Sequence, residues 1–197
     1  MLRTLAVLVV ASAATLGAQT AKVSLASTST IRVEGTSNVH AWHLATSTFT
    51  SSIEMAAPVT AASKVEAVTL AIPVTSLKSG KGGLDKNTYK ALNADQHPTI
   101  TFRMTSYSAE PKDGAFAAKV GGTLTVNGVT RDVLLLTTIS GEPGALQAVG
   151  TTKFNMTDFG VKPVTALMGT IRTGNEVTIK FDLTGSAARS IAELPRQ

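Results

Sequence analysis

Cysteine is absent from this sequence. Its absence excludes disulfides, thiolate metal ligands, a thiol nucleophile and the anchoring thiol of a bacterial lipoprotein, so stability must come from an apolar core. Histidine is almost as scarce, with three copies at His40, His43 and His97, too few favoured ligands for a zinc site. Aromatic residues number one Trp, two Tyr and six Phe, and the basic residues are dispersed rather than interleaved with them. A formal net charge of +5 arranged in this way is not a nucleic-acid footprint. Weak attraction to anionic lipid head groups is the most it supports.

A long hydrophobic run is missing too. The apolar stretch Leu5 to Ala14 is about half of the roughly 20 residues that cross a bilayer. Behind Met1-Leu2-Arg3-Thr4 and ahead of Gln19-Thr20 it reads as a secretory signal peptide over residues 1–18, with cleavage after Ala18 and with Ala14 and Ala21 as alternatives. The mature protein is therefore expected in the periplasm or outside the cell, with no integral membrane span. Residues 19–186 have the length of one domain, and 187–197 form a tail without a place in the pattern.

What the mature sequence does contain is alternation. In Glu176-Val177-Thr178-Ile179-Lys180-Phe181-Asp182-Leu183 every second residue is apolar, which gives a strand with one dry and one wet face. The same period recurs over Val23 to Val33, Val65 to Val74, Thr99 to Met104, Phe116 to Val126 and Gln147 to Met156. Val39 to Met55 is long for one strand and is expected to bend at Ala45 to Ser47. Val129 to Ile139 is apolar on both faces around Leu134 to Leu136, so a cover over its outer face is expected. Asn127-Gly128 marks a two-residue hairpin. Between Val74 and Pro98 the alternation stops, and Leu84 to Leu92 can form a short helix with Leu84, Thr88 and Leu92 on one face. The fold class is all-β, with about eight strands and one short helix in a connection. Eight is the number at which a closed antiparallel barrel just holds side chains or one small ligand, with an open two-sheet sandwich as the rival.

Five strings occur in order along the chain: Val33-Glu34-Gly35-Thr36-Ser37-Asn38-Val39-His40-Ala41-Trp42, Ile72-Pro73-Val74-Thr75-Ser76-Leu77-Lys78-Ser79-Gly80, His97-Pro98-Thr99-Ile100-Thr101-Phe102, Gly122-Thr123-Leu124-Thr125-Val126-Asn127-Gly128-Val129-Thr130, and Asp158-Phe159-Gly160. Together they resemble the YceI-like family of periplasmic lipid-binding proteins over nearly the whole mature chain. The resemblance implies an eight-stranded, lipocalin-like antiparallel barrel whose apolar tunnel holds a polyisoprenoid or related long-chain amphiphile. It calls for no cofactor beyond such a bound isoprenoid or quinone-like lipid.

On this reading the inward residues expected to touch the lipid are Val33, Leu70, Ile72, Ile100, Phe102, Met104, Leu124, Val133, Leu135, Ile179 and Phe181. Lys78, Lys81, Lys86 and Lys90 are candidate head-group contacts, although a charge run of this kind is more often a solvated face. Catalytic signatures are thin. His40 and His43 are three apart and point to opposite faces of a regular strand, so they do not chelate; a backbone bond near Ser37 is expected of His40. Ser37 lacks a Gly-x-Ser-x-Gly elbow, and Ser79-Gly80-Lys81-Gly82-Gly83 lacks the ending of a phosphate loop. Two other functions stay open: a filled, ligand-free barrel acting as a stress-response or protein-interaction module, and an enzyme with His40 or His97 as general base beside a carboxylate. A homodimer is compatible with each.

Overall fold

The computed structural model describes residues 19–166 and 169–187; the expected leader 1–18 and, apart from Ala187, the expected tail 187–197 lie outside them. In chain order come β1 (Thr20–Leu25), β2 (Thr30–Ser37), β3 (Trp42–Thr46), β4 (Thr50–Ala56), β5 (Val65–Pro73), α1 (Gly82–Ala91), β6 (Thr99–Lys112), β7 (Ala115–Val126), β8 (Val129–Glu142), β9 (Ala145–Asn155), β10 (Thr165–Ala166) and β11 (Ile171–Ala187). All pairings are antiparallel, and they close into an eight-position ring. Two of those positions are each shared by a pair of segments laid end to end. Along β11, β1 pairs through Val23 to Leu25 and β2 through Thr30 to Gly35, while β3 continues the wall beside β2 and β4 beside β1. The ring β1-β4-β5-β6-β7-β8-β9-β11 is closed, with β3 held on its far side by the bridge between Ala45 and Lys78, and the sandwich reading falls.

The breaks are built from hydroxyls. Between β1 and β2, Ser29 is 1% exposed; its Oγ donates to the carbonyl of Thr184 and accepts the N–H of the same residue, replacing ladder bonds that the kink removes. The strand expected over Val23 to Val33 is therefore two. Between β3 and β4 the bend falls at Ser47 to Phe49, slightly later than expected, and Thr46 holds it through bonds to the N–H of Thr48 and to Ser76. On β6 the register shifts between Met104 and Ser106. That bulge moves the inward set from even to odd numbers, so Tyr107 and Ala109 pack inside and the strand runs on to Lys112. A strict period of 2 loses it at Met104.

Asn127 and Gly128 have φ of 50° and 74°, the left-handed pair that a two-residue hairpin needs, and Val126 pairs with Val129 across them. The turns β4–β5, β6–β7 and β8–β9 mark one end of the barrel, which a cluster around Met55, Val59, Ile139 and Leu146 closes as a floor. The other end carries the β2–β3 and β7–β8 turns, α1 and the β9–β11 connection. There a second cluster of Val126, Phe159 and Val161 narrows the opening, with Phe159 edge-on to Phe154 at 4.8 Å and its carbonyl bonded by Asn127. Three of the five strings thus meet in one plug, since His97 also lies over Gly128. On the outer wall Leu134 and Leu136 are 51% and 53% exposed, and no described residue provides the expected cover.

Candidate ligand-binding cavity

Between the floor and the plug the barrel is hollow, enclosing a cavity of about 570 Å³. Small-molecule sites occupy roughly 300–1,000 Å³, so this is a full-sized pocket and not a packing defect. The finding is at odds with a filled barrel.

The hollow has a local cause in three aromatic rings that lie against the wall instead of across the lumen. Trp42 pairs with Gly35, and Phe181 with Gly150; in both cases a Cβ on the glycine would overlap the ring. Phe102 faces Leu124 across the ladder, and its ring rests on Gly122, two residues along β7. Each missing side chain is the seat of a ring. The remaining lining is mostly aliphatic, with Phe154 and Phe159 added and a few polar side chains such as Thr137 and Thr152, and no Asp or Glu side chain is among the described residues that line it.

Of the expected contact residues, Val33, Leu70, Ile72, Ile100, Phe102, Leu124, Val133, Leu135, Ile179 and Phe181 all line the cavity. Met104 does not; it packs with the floor cluster, at the bulge that shifts the phase of β6. Trp42, Phe154 and Phe159 also line the space and were not among the expected contacts. Phe154 continues the even-numbered alternation of β9 and could have been found that way, whereas Phe159 sits in a single-turn 3-10 helix with no periodic signal.

At the mouth, α1 presents Leu84, Thr88 and Leu92 to the lumen, the face that its spacing indicates. Of the four lysines, Lys81 lines the opening. Lys78 donates to the Tyr89 hydroxyl at 2.7 Å and stands 5.1 Å from that ring's centre, and this bond holds its ammonium pKa above the ordinary value. Lys86 and Lys90 are exposed on α1 and do not line the cavity. The Asp85 carboxylate accepts the hydroxyl and N–H of Ser79, which pull its pKa below the usual range.

His40 and His43 stand at the rim, while His97 lies outside the cavity. The turn at Ser37 is held by the serine: its Oγ accepts the N–H of His40 and donates to the carbonyl of that residue. The expected backbone bond therefore involves the His40 main chain and not its imidazole. No group of three metal-ligating side chains occurs among the described residues, and no described helix is long and apolar enough to cross a membrane.

A closed antiparallel barrel with a packed floor, an apolar lumen and a helix at its mouth places the protein among the small barrels with room inside for one small molecule. The chain belongs to the YceI-like family: the model of the YceI-like domain matches residues 16–185. Among curated proteins none matches. Among solved structures, BcnA of Burkholderia cenocepacia is similar at 19% identity and a TM-score of 0.63, over 82% of this chain and 99% of its own. A polyisoprenoid binding domain from Saccharophagus degradans, implicated in plant cell wall breakdown, is similar at 12% identity and a TM-score of 0.63, over 85% and 99%. The YCEI protein of Campylobacter jejuni is similar at 18% identity and a TM-score of 0.58, over 73% and 82%. At these identities the shared property is the fold.

Proposed function

We propose that this protein is an exported carrier or sequestering protein for a long-chain isoprenoid or a related amphiphile such as a quinone, and that it performs no chemistry on its cargo. The observation that carries this reading is the apolar lumen of about 570 Å³, open beside α1 and closed at the floor. The polyisoprenoid-binding domain among the similar structures supports the ligand class. The leader-like residues 1–18 support export. The lining aliphatics would take the tail, while Lys81, with Lys78 close by on the same connection, would meet a polar or anionic head. A general base needs a positioned partner, and the described lining residues include no carboxylate to orient His40.

Each methylene moved from water into such a lumen contributes about 0.8 kcal/mol, but the same methylene gains nearly as much in a membrane. The protein would therefore exchange lipid with bilayers, and its selectivity would come from lumen shape and polar contacts.

The test uses the single tryptophan, which lines the lumen. Titration of the mature protein with a polyprenyl alcohol should change Trp42 emission. A ligand at about 100 times its Kd should also add about 2.7 kcal/mol of stability, read as a raised melting temperature. Organic extraction of protein purified from its own cells should recover a lipid. An unaltered emission spectrum together with lipid-free protein refutes the proposal.

A further inference from the structure

Thr137 on β8 lines the lumen and is 8% exposed, and its Oγ1 is buried with no hydrogen-bond partner among the described residues. An unpaired hydroxyl in an apolar enclosure is costly, and a valine would fill the same shape without that cost. The wall beside it is cut back on both sides. Its ladder partners are Ala118 on β7 and Gly150 on β9, and the space left by Gly150 is taken by the Phe181 ring. Residues such as Ser37, Ser79, Lys81, Asn87 and Thr88 put polar groups at the mouth and Thr152 lines the lumen from β9, whereas Thr137, beyond Val133 and Leu135 counted from the hairpin end of β8, is the lining residue whose buried hydroxyl lacks a partner among the described residues. Rotation about its Cα–Cβ bond exchanges hydroxyl for methyl, so the hydroxyl can be offered to the lumen without moving the wall.

From this we infer that Thr137 is a specificity-determining residue deep in the lumen, donating a hydrogen bond to an oxygen of the cargo, so that the preferred ligand is an oxygen-bearing amphiphile whose hydroxyl or carbonyl enters the barrel and not a bare hydrocarbon. The inference rests on the carrier reading above. It differs from a head group read only at the mouth, where Lys81 stands.

The experiment compares a C20 isoprenoid alcohol with the C20 isoprenoid hydrocarbon of the same skeleton, using Trp42 emission, in the wild type, Thr137→Val and Thr137→Ser. The wild type should prefer the alcohol by about three- to tenfold, the value of one net hydrogen bond. Thr137→Val should abolish that preference while keeping or improving its affinity for the hydrocarbon. Thr137→Ser, which retains the hydroxyl, should restore it. Equal wild-type affinities for the two probes, or a preference that survives in Thr137→Val, overturn the inference while leaving the carrier reading intact. If the wild type binds neither probe, the carrier reading fails and this inference falls with it.

Discussion

A methyl group added at Gly35 would overlap the Trp42 ring that lies across it, and the ring's indole N–H is already committed to the carbonyl of Thr36. The ring would have to leave its seat, and the free space nearby is the lumen. Gly35→Ala is thus expected to destabilise the protein by about 1–3 kcal/mol, the usual cost of overpacking. It should also shift Trp42 emission in the ligand-free protein and weaken lipid binding; a variant with wild-type spectrum, melting and affinity would show that the glycine seat is dispensable. Both residues stand close together in the sequence, yet nothing in their spacing tells that one is the seat of the other, because the contact depends on a cross-strand register that a turn sets. Residues whose place on the cavity wall follows from alternation alone, such as Ile100, Phe102, Ile179 and Phe181, were legible. Met104 was not, because a bulge changes the phase of β6 just where it sits.

At the next scale α1 is the element that borders the mouth, and it contributes no buried residue. It is held by apolar contact of Ala91 and Leu92 with the plug cluster and by polar bonds: Ser79 bonds Asp85 by hydroxyl and N–H, and the Tyr89 hydroxyl lies within bonding distance of the carbonyls of Thr75 and Leu77. The Asp85 pKa is depressed below the ordinary 3.8, with the Ser79 hydroxyl as the largest cause, so its contribution to stability is complete well above 3.8. It fades as the pH falls past 3.8 and is lost below the depressed folded value. Asp85→Asn should therefore melt below the wild type at neutral pH, and the gap should close in acid. Paired melting curves between pH 7 and pH 2.5 check this, and a gap independent of pH would show that the carboxylate charge plays no part. The helix and its lumen-facing stripe could be read from the spacing of Leu84, Thr88 and Leu92. The clasp could not, since Ser79 and Asp85 meet only because Gly80, at φ of 77°, turns the chain back between them.

Over the whole molecule, eight strand positions were countable because hairpin signals and alternation are local properties, whereas closure was not. It depends on β11 meeting β1 and β2, and on Ser29 reaching Thr184, 155 residues away. The outer wall also departs from expectation. Leu134 and Leu136 face solvent, as an alternating reading of β8 permits but a cost argument about exposed apolar surface did not anticipate. The seam has one more consequence. Since Val23 pairs with Ala187, the ends of the barrel's chain are neighbours, and the order in which its strands are synthesised is not written into their arrangement. A circular permutant that joins the two ends through a short linker and starts at the exposed turn between Glu142 and Ala145 would keep every strand beside its native neighbours. It should show the wild-type far-ultraviolet spectrum and bind the same lipid, and an unfolded permutant would mean that the seam must be sewn last. If it folds, the barrel is a ring in the topological sense, with no strand that is structurally first.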